Sequence, residues 1–141
     1  MAIETYINFN GNCREAVEYY AEVFGVDKQP VMTFGDNPPN PKFTLPEEAK
    51  DLVMHTFLDI KGGRLMFSDV LPGSSFIEGN NISLVVNSSD VEELKSFFAK
   101  LKEGGTVIMD MQETFWSKCY GMVNDKFGIG WQLSHFDPSQ T

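Results

Sequence analysis

The chain has 141 residues, 42% hydrophobic and 13% aromatic, and carries 20 acidic against 11 basic side chains for a net charge of −9. That size and composition suit one globular domain (1–141) with a real core and argue against disorder. The negative surface repels phosphate backbones, making nucleic acid and anionic membranes poor partners, and no stretch approaches the ~20 apolar residues of a membrane helix.

In chain order, residues 3–9 alternate as a strand, with Ile3, Thr5, Ile7 and Phe9 on one face and Glu4, Tyr6 and Asn8 on the other. Asn12 and Glu15 form a capping-box pattern that opens a helix over 12–24, with Ala16, Val17, Tyr20 and Phe24 as its apolar stripe and Gly25 as its stop. A second strand is expected around 29–34. The prolines that follow break regular structure, so 35–51 reads as a surface excursion with one helical turn at 46–50. Excursions of that length are often lids or partner contacts. Strands at 52–60 and 64–69 flank a Lys61-Gly62-Gly63 hairpin turn.

After a link over 71–80 the order recurs. A strand at 82–86 is followed by a helix from Ser89, where Ser89-Asp90-Val91-Glu92 reads as a second capping box. Val91, Leu94, Phe98 and Leu101 form its stripe, and Gly104-Gly105 its stop. Strands at 106–111, 118–124 and 129–135 close the chain, the last two joined by an Asp125-Lys126-Phe127-Gly128 turn. The pattern is thus βαβββ twice, in modules 1–75 and 80–136. Each has roughly 60–70 residues, too few for a comfortable separate domain. That predicts an α+β chain whose two halves face each other across a cleft.

The N-terminus has no basic region and no apolar signal core. Cys13 and Cys119 suit free thiols in a reducing, cytoplasmic setting better than a disulfide. Cys13, close to a helix start, is either a thiol of lowered pKa or a bland one. No Gly-x-Ser-x-Gly elbow, phosphate-cradling loop or His-Glu-x-x-His pair is present.

Several sequence words occur in a characteristic order. They are Asn8-Phe9-Asn10-Gly11-Asn12 before Ala16-Val17-Glu18-Tyr19-Tyr20, Met54-His55-Thr56-Phe57-Leu58 with Leu65-Met66-Phe67-Ser68-Asp69, and Trp116-Ser117-Lys118-Cys119-Tyr120-Gly121 before Gly130-Trp131-Gln132-Leu133. Together they resemble the PhnB-like branch of the vicinal oxygen chelate superfamily, which includes glyoxalase I, bleomycin-resistance proteins and extradiol dioxygenases. This branch often carries the label "3-demethylubiquinone-9 3-methyltransferase" domain. The resemblance implies paired curved mixed sheets, each with its helix outside, and frequent homodimers. In metal-dependent members, four inward His, Glu or Gln side chains hold a divalent ion.

Aligned on that pattern, the four ligand positions fall at Thr5, Ser68, Asn81 and Gln132. Only Gln132 is of a ligand type, and the others cannot repay the dehydration of a divalent ion. The resemblance therefore implies a binder of a small organic molecule with no metal and no cofactor. Its expected contacts are Tyr6, Asn8, His55, Asp69, Trp116, Tyr120, Trp131 and Gln132. Each has a plainer reading: His55 as a hydrogen-bonded core or edge histidine, Asp69 as the start of a solvent turn, Gln132 as surface, Trp116, Tyr120 and Trp131 as core, and Tyr6 with Asn8 as open sheet surface. Two alternatives stay open. One is a metal-dependent lyase, isomerase or dioxygenase using a shifted set such as His55, Asp69 and Gln132. The other is an interaction module presenting residues 37–46.

Overall fold

A computed structural model describes residues 1–37 and 44–140. It divides into two compact units, Met1–Ile77 and Glu78–Thr141. Most of the proline-rich stretch expected as a loop, residues 38–43, lies outside the described residues.

The first unit runs β1 (Thr5–Phe9), α1 (Cys13–Phe24), β2 (Met32–Thr33), a 3-10 turn at Glu47–Ala49, β3 (Val53–Ile60) and β4 (Gly63–Asp69). Its sheet order is β1-β4-β3-β2, with β1 parallel to β4 and the other pairs antiparallel. The second strand is much shorter than the sequence suggested. The hairpin between β3 and β4 is a tight two-residue turn with positive φ at both Lys61 and Gly62, which matches the right-handed strand twist.

The second unit repeats this order as β5 (Ser83–Ser88), α2 (Val91–Leu101), β6 (Thr106–Gln112), β7 (Tyr120–Asn124) and β8 (Gly130–His135). Its sheet order is β5-β8-β7-β6, and its lone parallel pair is β5 with β8. The duplicated βαβββ pattern is thus present strand for strand, as two four-stranded mixed sheets. Among the described residues no helix is long and apolar enough to cross a membrane.

Each helix covers one face of its own sheet. In α1, Ala16, Val17, Tyr20 and Phe24 are buried, and the Tyr20 ring stacks on Phe67 with centroids 6.0 Å apart. In α2, Leu94, Phe97, Phe98 and Leu101 are buried beside Val86, Val123, Trp131 and Leu133. Burying an aliphatic or aromatic side chain of this size stabilises by about 1.5–3 kcal/mol. Gly121 admits this packing, since a Cβ there would lie 3.1 Å from the Phe98 ring.

The helix starts differ from the capping boxes expected. Asn12 makes no side-chain cap hydrogen bond. Its place is taken by Asp69 at the end of β4, whose Oδ1 accepts from the Gly11 and Cys13 N–H groups while Oδ2 accepts from Val53 N–H. A buried carboxylate against a positive helix end outcompetes a local amide. In α2 the cap is Asp90, one residue later than expected, and it accepts from Glu93 N–H. The Glu93 carboxylate takes the Ser88 hydroxyl, and Ser88 Oγ accepts from Asp90 N–H.

Asp69→Ala would leave three N–H groups without their acceptor. Urea denaturation should then show a loss of about 3 kcal/mol or more, with Asp69→Asn losing less because one acceptor oxygen survives.

Candidate functional site

The faces that the helices leave open carry most of the predicted residues. In the first unit strand alternation sends Ile7, Phe9, Thr56, Leu58 and Phe67 to the helix side. Tyr6, Asn8, His55, Phe57, Met66 and Ser68 fall on the other side. The Tyr6 hydroxyl spans β4 to reach β3, lying 3.2 Å from His55 Nδ1 and 3.4 Å from the Met54 carbonyl. The Tyr6 and His55 rings stand 5.7 Å apart. Beside them Ser68 donates its hydroxyl to Asn8 Oδ1 at 2.9 Å. Farther along, the Arg64 guanidinium lies 3.9 Å over the Phe57 ring and forks onto Asp59. That exposed pairing holds the Asp59 carboxyl below its usual range.

In the second unit Ser83, Val85, Tyr120, Met122, Gln132 and Ser134 share the open face. Tyr120 donates its hydroxyl to Gln132 Oε1, and Gln132 Nε2 donates to Ser83 Oγ at 2.8 Å. Trp116 packs edge-on against Tyr120 at 5.2 Å, and Phe115 packs edge-on against Trp116 at 4.7 Å. Trp116 is 54% exposed and Phe115 97%. The loop presenting them is tied down by Ser117, whose buried hydroxyl serves the carbonyls of Cys119 and His135.

Two expected contacts lie elsewhere. Asp69 is 3% exposed on the helix side of the first sheet, its oxygens filled by backbone N–H groups. Trp131, also 3% exposed, faces α2 and donates Nε1–H to the buried Asp125 carboxylate at 2.8 Å. Asp69 thus has both oxygens engaged by the scaffold, and the Trp131 indole N–H is spent on Asp125. His55 and Val53, placed on one face by strict alternation, are also separated. Val53 and Thr56 are both buried, and β3 loses regular register beside β2.

The same geometry tests the superfamily's metal. Among the described residues no three His, Cys, Asp or Glu side chains come together as a potential ion site. Thr5, aligned to an opening-strand ligand, alternates onto the helix side with Ile7 and Phe9. Ser68 and Gln132 do reach the open faces, but amides, hydroxyls and one imidazole are the donors around them. That set does not fit a divalent ion. The shifted set of His55, Asp69 and Gln132 does not form either, because Asp69 points away from His55 through the sheet.

Cys13 follows the plainer of its two readings. Burial first, and the nearby Asp69 carboxylate second, push its thiol up to about 12 rather than down. Burial also raises Cys119.

Sheet order, helix placement and pairing define the glyoxalase fold, shared with the FosX fosfomycin resistance protein of Listeria monocytogenes. That likeness has a TM-score of 0.64 at 10% identity over 99% of this chain and 95% of that one, and it concerns the fold alone. Residues 1–134 match the family described as 3-demethylubiquinone-9 3-methyltransferase, and the chain belongs to that PhnB-like family. Protein YjdN of Escherichia coli K12 is 32% identical over 143 residues, 95% of each chain. The structure of PA1353 from Pseudomonas aeruginosa superposes with a TM-score of 0.84 at 34% identity, covering 96% of this chain and 97% of that one. A PhnB protein from Bacillus cereus gives 0.76 at 26% identity over 96% and 100% of the two chains.

A reagent such as dithiobis(nitrobenzoate) should find neither thiol at pH 8 in the folded protein and both in denaturant. The fold favours protonated Cys13, so its contribution is complete below about 9 and is lost as pH climbs toward about 12. Unfolding free energy should fall across that window, less steeply in Cys13→Ala.

Proposed function

We propose that this protein binds a small organic molecule on the open sheet faces, without a catalytic metal. On the first unit's face the candidate contacts are Tyr6, Asn8 and His55; on the second unit's face, taken by itself, they are Trp116, Tyr120 and Gln132. The observation that carries this reading is the Tyr6–His55 pair beside Asn8–Ser68 and the apolar Phe57 and Met66. Hydrogen-bonding groups set in an apolar surface orient a ligand by polar contacts and hold it by area. The exposed Trp116 adds a flat surface on which a planar group can stack.

The family's description names a methyltransferase, but each sheet here has one parallel pair and three antiparallel-linked strands. A doubly wound parallel sheet with its glycine-rich turn is what cradles a nucleotide-like cofactor. The chain's own topology therefore favours ligand binding over methyl transfer. Two buried free thiols suit a reducing cytoplasmic compartment.

A thermal-shift screen of aromatic and amphiphilic metabolites tests the reading. A ligand at 100 times its Kd should stabilise by ~2.7 kcal/mol. Tyr6→Phe and His55→Ala should weaken a hit on the first face several-fold, and Trp116→Ala a hit on the second. Unchanged affinity in all three would refute the assignment.

The protein further pairs as a homodimer in this proposal. Supporting it, the edge strand β6 exposes Val107 and Ile108, apolar residues that an unpaired edge leaves open to association. Sedimentation showing only the 15.9 kDa chain would exclude the dimer.

A further inference from the structure

A pocket of about 150 Å³ opens in the second unit at the end of the open sheet face where Ser83, Asn124 and Gly130 lie side by side. Its polar lining is Asn80, Asn81, Asn124 and Ser83, and its apolar lining is Ile82, Ile108, Met122, Val123 and Trp131. Two of these apolar side chains are unusually bare, Ile82 at 77% and Ile108 at 55% exposed. No lining residue is ionisable. The Glu78 carboxylate stands outside the lining, with an oxygen 3.3 Å from where a Cβ on Gly128 would be.

The hydrogen-bond chain on the same face ends here. Tyr120 O–H points to Gln132 Oε1, and Gln132 N–H points to Ser83 Oγ. The relay uses Ser83 Oγ as an acceptor, which leaves its own hydroxyl proton available as a donor. The three asparagine amides offer both donors and acceptors beside it.

We propose that this pocket takes a small neutral ligand group, a carboxamide or lactam on an aliphatic body. Its carbonyl accepts from Ser83, its N–H meets an asparagine carbonyl, and its hydrocarbon covers Ile82 and Ile108. A carboxylate would meet no cation among the lining residues, and an ammonium would meet only amide and hydroxyl oxygens there, Glu78 lying outside the lining; neither desolvation is repaid by the lining. The inference rests on the ligand-binding reading of the open faces and names the chemistry of one end of the second.

The test uses the intact protein, labelled with ¹⁵N, and ε-caprolactam as probe, against cyclohexanecarboxylate and cyclohexylammonium of similar size. Caprolactam should shift the side-chain amides of Asn81 and Asn124 and the backbone amides of Ser83 and Gly130 saturably. The two ions should bind at least tenfold more weakly. Ser83 is exposed, so Ser83→Ala should fold normally and lose about tenfold in lactam affinity. Equal binding of either ion, or an unchanged Ser83→Ala affinity, would overturn the assignment. Shifts mapping to Tyr6 and His55 instead would overturn it while leaving the broader binding reading intact. No shift at all, joined to an empty thermal-shift screen, would sink both.

Discussion

One buried carboxylate organises the first unit. Asp69 ends the central strand β4, and its two oxygens draw in the approach to α1 and the first residue of β3. A single side chain thereby sets where the helix begins relative to the sheet beneath it, and so which sheet face is covered. The charge is tolerated in that dry setting because three N–H groups and the helix end share it. Burial first, and this carboxylate second, hold Cys13 as a thiol, since a thiolate there would be desolvated and beside a like charge.

The second unit solves the same problem with different residues. Asp125 is buried in the β7–β8 turn, where Oδ1 accepts from Phe127 and Ile129 N–H and Oδ2 from the Trp131 indole. The start of α2 is left to a local cap, Asp90 with Ser88 and Glu93. The two copies thus share topology while their polar anchors have moved. In each, the buried acid goes to scaffolding, which leaves neutral groups to dominate the open faces.

That division explains which parts were readable in the sequence. Period-2 and period-3.6 patterns report burial on one side of an element, so the strands, both helices and their order emerged from residues such as Ile7, Tyr20, Leu94 and Leu133. The positive-φ hairpin at Lys61-Gly62 was legible for the same local reason. Long-range hydrogen bonding was not. Asn12 and Asp69 are 57 positions apart in sequence, and nothing local shows that the second displaces the first as the helix cap. Trp131 and Gln132 must point oppositely, so placing both side chains on one face could have been avoided. Ser83 and Phe115 were missed as candidate-site residues because a serine or an isolated aromatic carries little signal until its neighbours are placed, and Ser68 was reached only as an aligned ligand position. Val53 eluded alternation because the strand pairing beside it is irregular.

The largely uncharged character of the open faces, the Arg64–Asp59 pair apart, follows from their arrangement. Most of their polar groups are joined in pairs or short chains: Tyr6 with His55, Ser68 with Asn8, and Tyr120 with Gln132 and Ser83. Such linkage fixes rotamers before a ligand arrives, lowering the entropy lost on binding. It also spends one donor or acceptor on each residue, so each presents a directional remainder rather than a full set. An ion needs several strong donors converging on one point, whereas an uncharged molecule needs single, well-aimed bonds spaced along its length. The fold can keep its geometry while its ligand chemistry moves from charge toward shape. In that light the bare Ile82, Ile108 and Trp116 are the other half of the same surface, where affinity for an uncharged molecule would have to come from area.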